Sequence, residues 1–213
     1  MTVGVFALRA DTIDVYSTGV GPSGILSDGA LDAQYTLVAN ADGSGPNSYV
    51  VIQNGFPIPP WVADNSSSKW IAPVANENQQ SDQPGLYDFQ TTFDLTGLDP
   101  STAVIAGYWT ADNKGDYIEL NGVNIGFATP NDAYAALNTA FTITDASGSG
   151  FLPGINTLDF VETNSPGVAG NPTGVRVELS GTADPMPVPE PATFGLIGLG
   201  LLGAGLLRRR AAR

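Results

Sequence analysis

Side chains in the middle of this chain alternate with a period of two. Tyr87, Phe89, Thr91, Phe93 and Leu95 fall on one face of an extended segment, and Asp88, Gln90, Thr92 and Asp94 fall on the other. A strand sends successive side chains to opposite faces, whereas a helix would mix these two sets. The segment therefore reads as a half-buried strand. Ile118 and Leu120 alternate in the same way with Tyr117 and Glu119, and Val175, Val177 and Leu179 oppose Arg176 and Glu178. Asn121-Gly122 then supplies the residue pair that a type I′ hairpin needs. Further strands are expected over 13–18, 35–41, 49–53, 69–72, 103–110, 140–144 and 157–162, with glycine, proline, asparagine and aspartate in the gaps. Within this stretch only 132–138 reads as helical, and no internal repeat is visible. Short strands separated by frequent turns predict an all-β fold, an antiparallel β-sandwich.

Composition removes whole classes of chemistry. The chain has no cysteine, so no disulfide staples it and no thiolate acts. It has no histidine, which excludes an imidazole base and histidine-ligated metals. Between residues 11 and 187 the three basic residues Lys69, Lys114 and Arg176 stand against twenty carboxylates, a net charge of −17. Such a body repels phosphate backbones, so nucleic acid is not an expected partner. Two carboxylates could still hydrolyse a glycosidic bond. However, Glu119 and Glu178 alternate with apolar neighbours and are expected to face solvent, and Glu77 and Glu162 sit in or beside polar segments. The chain reads as non-enzymatic, with a glycosidase as the remote alternative and no catalytic residue assigned.

The C-terminus has a different character. Val188-Pro189-Glu190-Pro191 leads into the apolar run from Phe194 to Leu207, which stops at Arg208-Arg209-Arg210. Fourteen residues at roughly 1.5 Å each give a helix of about 21 Å, short of a ~30 Å hydrocarbon core. Five glycines in the run weaken a helix in water but suit a membrane helix. The terminal arginines place the C-terminus in the cytoplasm and the body across the membrane. This three-part order resembles the PEP-CTERM signal of exported proteins in Gram-negative bacteria. The resemblance implies that Pro189, Glu190 and Pro191 form the recognition core, that Phe194–Leu207 holds the membrane, and that the arginines are the cytoplasmic stop. It also implies an exosortase-type processing protease as partner and the bacterial inner membrane as a transient host. At the other end, residues 1–10 resemble the tail of a secretory leader that lacks its basic region, with cleavage expected near Ala10 and a translation start upstream.

The body carries a second resemblance. Lys69-Trp-Ile-Ala-Pro73, the strand over 86–95, Gly107-Tyr-Trp-Thr-Ala-Asp-Asn113, Ile118-Glu-Leu-Asn-Gly122, Gly154-Ile-Asn-Thr-Leu158 and the segment 171–179 occur in an order similar to galactose-binding-like jelly-roll domains. The fold expected is thus a jelly-roll-like antiparallel β-sandwich followed by a single C-terminal hydrophobic helix. The expected division is a leader remnant at 1–10, the sandwich at 11–184 and the sorting segment at 185–213.

Trp61, Trp109, Asp112 and Asn113 form the candidate carbohydrate site, since aromatic faces stack on sugar rings and Asp and Asn bond hydroxyls. Trp70 and Trp109 read more simply as core residues, while Trp61, after Pro57-Ile-Pro-Pro60, reads as a loop tryptophan. No cofactor is expected. Residues 112–116 and 42–45 are rich in oxygen ligands that suit a structural calcium ion, but neither has EF-hand spacing, and no metal ligand is assigned. The function expected is an exported surface or exopolysaccharide-associated protein, with a polysaccharide-gripping module as the alternative.

Overall fold

The computed structural model describes residues 10–79, 82–145, 150–167 and 170–187. The leader segment up to residue 9 and the sorting segment from residue 188, with its hydrophobic helix, lie outside the described residues. The described chain forms β1 (Asp11–Ile13), β2 (Val20–Gly21), β3 (Gly24–Ile25), β4 (Leu31–Asn40), β5 (Asn47–Val50), β6 (Ile71–Ala72), β7 (Gly85–Asp94), β8 (Val104–Asp112), β9 (Lys114–Leu120), β10 (Val123–Gly126), β11 (Thr139–Thr144), β12 (Ile155–Asn164) and β13 (Gly174–Ala183). Eleven strands join one curled antiparallel sheet in the order β10-β9-β12-β7-β4-β5-β6-β13-β8-β11, with β1 added beside β13. β2 and β3 pair only with each other. No α-helix occurs among the described residues.

Alternation explains where the core sits. Tyr87, Phe89, Thr91, Phe93 and Leu95 are all buried, as their parity requires. β12 runs antiparallel to β7 with Phe160 opposite Phe89 and Leu158 opposite Thr91, so both strands turn apolar side chains to one side. The sheet then curls over this face. The Phe160 ring centroid lies 5.6 Å from Trp109 on β8, 5.9 Å from Phe141 on β11 and 6.5 Å from Tyr35 on β4. The half containing β12 and β7 therefore packs on the half containing β8 and β11, as in a sandwich. Burying aromatics of this size, with about 150–250 Å² each, is the main stabilising contribution. Gly115 of β9 permits a close approach between the halves: a Cβ there would lie 2.3 Å from the Trp109 ring.

The expected hairpin is present. Leu120 pairs with Val123, and Asn121 and Gly122 have φ of 53° and 75°, as a type I′ turn demands. Two local expectations need correction. The 132–138 segment holds only a 3₁₀ turn at Ala133–Ala135 before the chain becomes extended at Ala136. Two turns of alanine-rich sequence cannot repay the cost of helix nucleation without a packed face. Strands β2 and β3 were not expected, because two residues are too few to display alternation.

The two ends of the body meet. Asp11 pairs with Ala183, and Leu98 bridges to Pro185, whose neighbour Met186 donates its N–H to Gly97 at 2.9 Å. The start of the described chain and the approach to the sorting segment thus leave from one region.

Candidate functional site

The residues expected to bind carbohydrate are placed by β8 and by the long connection between β5 and β6. Trp109 lies on the inner face of β8, fully buried, and donates its indole N–H to the Phe127 carbonyl at 2.8 Å. Trp61 is also buried, at 2% exposure. Its ring packs on Trp70 with centroids 4.3 Å apart, and its N–H is donated to Asp112 Oδ2 at 2.7 Å. Trp70 in turn donates to the Val62 carbonyl at 2.8 Å. Together with Val51, Ile58 and Ala72 these rings make a second small core. Trp61 does lie in a loop, between β5 and β6, but it is a core residue there: residues 61–70 fold over the sheet, and the tryptophans are their anchors. Neither Trp61 nor Trp109 presents a free face to a sugar ring.

The structure does bring Trp61, Asp112 and Asn113 together, apart from Trp109. Asn113 Nδ2 donates to Asp112 Oδ1 at 2.9 Å and to Asp132 Oδ1 at 3.3 Å, while its Oδ1 accepts from the Ser165 N–H at 2.7 Å. Burial pushes the Asp112 carboxyl up to about 7; the Trp61 N–H opposes that shift and Asp132 adds to it. The cluster joins loops from distant parts of the chain. Among the described residues no three acidic side chains are grouped to hold a metal ion, so the calcium expectation for 112–116 and 42–45 gains no support.

A more accessible site lies on the outer face of β8 and β13. An open groove of about 410 Å³ is lined by Ser17, Ser67, Ala106, Tyr108, Glu178 and Ser180, among others. Ala106 pairs with Ser180 and Tyr108 with Glu178 across the two strands, so small side chains form the floor beside a ring that is 50% exposed. Glu178 Oε1 accepts from Asn65 Nδ2 at 2.7 Å and from Ser68 Oγ at 3.0 Å. Arg176, expected on a solvated face, is instead 1% exposed beneath residues 61–70. It donates through Nε to Ser68 Oγ at 2.7 Å, through Nη1 to the Ala63 carbonyl, and through Nη2 to Glu178 Oε1 at 3.5 Å.

Buried acids form the part that sequence reasoning missed. Glu162 and Glu77 are fully buried and Asp82 is 5% exposed. Glu162 Oε1 meets Thr173 Oγ1 at 2.6 Å, and Asp82 Oδ2 accepts the Thr173 N–H at 3.0 Å. The second oxygen of Glu162 is buried without a hydrogen-bond partner, and the buried Glu77 carboxyl has the carboxyl of Asp82 as its side-chain partner. The signal for Glu162 was available: it shares parity with Leu158 and Phe160, and that parity points inward.

The decisive comparison concerns the tail. Residues 187–210 match the protein family described as the PEP-CTERM protein-sorting motif. The chain carries a PEP-CTERM sorting signal. Its span covers Val188, Pro189, Glu190, Pro191, the apolar run and the first arginines. PEP-CTERM signals are recognised by exosortases, and the motif supports export and sorting of the protein that bears it. No curated protein matches the chain, and no solved structure matches it. Among the described residues no helix is long and apolar enough to cross a membrane; the PEP-CTERM segment from 188 lies beyond them.

Proposed function

We propose that this chain is a non-enzymatic exported protein whose acidic β-sandwich body is carried across the inner membrane, held there by the PEP-CTERM segment, and delivered to the cell surface after exosortase processing. The match over 187–210 carries the reading. The physical character of the tail supports it: a ~21 Å apolar run is marginal for permanent spanning and suits a segment that is held and then removed. The body suits cargo, since a net charge of −17 keeps it soluble and clear of anionic headgroups. Its non-enzymatic character is supported by the lack of histidine and cysteine and by the inaccessibility of Glu77 and Glu162. Replacing Pro189, Glu190 and Pro191 by alanine tests the reading in the native host. Unprocessed protein should accumulate with the inner membrane; unchanged processing and unchanged surface delivery would refute it.

A second reading, binding of a neutral extracellular polysaccharide, draws support from the outer groove rather than from Trp61 and Trp109. Tyr108 offers a half-exposed ring, and Glu178, Ser17, Ser67 and Ser180 surround it with groups that bond hydroxyls. The resemblance to galactose-binding-like jelly rolls belongs to this reading. Retention of the full chain in mild detergent on the host's own polymer, lost in Tyr108→Ala, is the expected result. No retention of the wild type would remove it.

A further inference from the structure

The acids at the start of β13 are arranged in a way that their ionised forms cannot share. Thr173 supplies the geometric argument. Its Oγ1 lies 2.8 Å from the Asp112 carbonyl oxygen and 2.6 Å from Glu162 Oε1. A hydroxyl donates one proton, and a carbonyl oxygen only accepts. With the Thr173 proton on the Asp112 carbonyl, the short contact to Glu162 requires a proton on Glu162. The remaining Glu162 oxygen has no partner and no solvent, which an anion could not tolerate. Glu77 repeats the problem: both its oxygens are buried, and its side-chain partner is another carboxyl, Asp82, so the two cannot stay in contact with both ionised.

The groups that face these carboxyls offer no relief. Asp82 and Asp42 act on Glu77; Asp112, Asp116 and Asp82 act on Glu162; Asp132 acts on Asp112. The Tyr87 hydroxyl, on β7, donates to the Gln83 carbonyl at 2.9 Å. Lys114 pairs with Asp116 at 2.9 Å, and Arg176 bonds on the opposite face of β13. With no three acids grouped to hold a metal among the described residues, protons are the counter-charge that the geometry leaves.

We propose that Glu162 and the Glu77–Asp82 pair form a proton-operated latch: protonated Glu162 donates to the Thr173 hydroxyl and so ties the start of β13 to β12, Glu77 shares a proton with Asp82, and the buried cluster loosens when these protons pass to solvent. Burial drives the acids in this direction: it raises Glu162 well above the carboxylate range, Glu77 to about 10 and Asp82 to about 6. Carboxyls whose folded-state values are raised contribute stability that is fully present below about pH 4 and is lost as pH rises through those values. Asp82 ionises first, leaving one proton shared with Glu77, and the latch opens in alkali.

The test uses the full chain in mild detergent. Carboxyl-carbon NMR of glutamate-labelled protein at neutral pH should show two protonated glutamic acids, one lost in Glu77→Gln and the other in Glu162→Gln. Between about pH 6 and 10 the unfolding midpoint of the wild type should fall by several degrees, and the double glutamine variant should be nearly flat. A wild type in which all five glutamate carboxyl resonances are ionised would overturn the latch even if the variants fail to fold. So would a rise of the alkaline midpoint on adding calcium alone, in wild type but not in Glu77→Gln, because a cation would then be the counter-charge.

Discussion

Arg176 on β13 and Glu162 on β12 are 1% and 0% exposed, and their surroundings differ in kind. Arg176 is met by the Ala63 carbonyl, the Ser68 hydroxyl and the Glu178 carboxylate, with Asp64 also acting on it. Glu162 meets one hydroxyl, and the charged groups acting on it are all carboxylates. The first arrangement keeps its charge and uses it to hold residues 61–70 on the sheet. The second is tolerable only when the charge is removed. A buried ionisable group is thus stabilised either by partners or by a proton, and this domain uses both.

Removing the matched charge should have the largest effect. Arg176→Met leaves Glu178, the Ala63 carbonyl and Ser68 short of a donor, and breaking such a buried network costs about 3–5 kcal/mol. Urea unfolding measures it, and a loss under about 1 kcal/mol would show that the 61–70 connection does not depend on Arg176.

Trp61→Phe should cost less, about 1–3 kcal/mol, by taking the N–H from Asp112 while leaving the ring stacked on Trp70. Its pH dependence sharpens the contrast. The Asp112 value, raised to about 7, means that the folded state favours the neutral acid, so the stability from that raised value is fully present below about pH 4 and lost as pH rises through 7. The indole opposes that rise, so its removal should be felt more at pH 8 than at pH 5, by comparison of urea midpoints. Equal losses at both would mean that Asp112 does not titrate in this range.

Tyr108→Ala touches neither buried charge and should change stability by no more than about 0.5 kcal/mol. A larger loss in thermal unfolding would show that the outer groove is structural and that Tyr108 cannot be read as a free binding platform.

Much of the frame was legible in alternation, because β7 and β9 bury one parity against a common core to which β12 and β13 add Leu158, Phe160, Val175 and Val177. Asn121-Gly122 was legible because both residues adopt positive φ at little cost. Arg176 was not, since the cover over its face comes from residues 61–70, more than a hundred positions away. Trp61 was hidden for the same reason: whether a loop tryptophan is buried depends on where the loop lands. Glu162 was missed for the opposite reason. Its parity marked it as inward, but its residue type suggested solvent, and a protonated acid satisfies the parity. The outer groove had no signature, because alanine, serine and glycine floors become a groove only when β8 and β13 pair in register.

The tail needs no such packing to be read, since its parts are contiguous, and it carries the central claim. Intact-mass measurement of the protein recovered from the cell surface tests that claim most directly. The account predicts a mature chain that lacks the apolar run and the arginines, ending before Phe194. A surface protein whose mass still extends to Arg213 would contradict it.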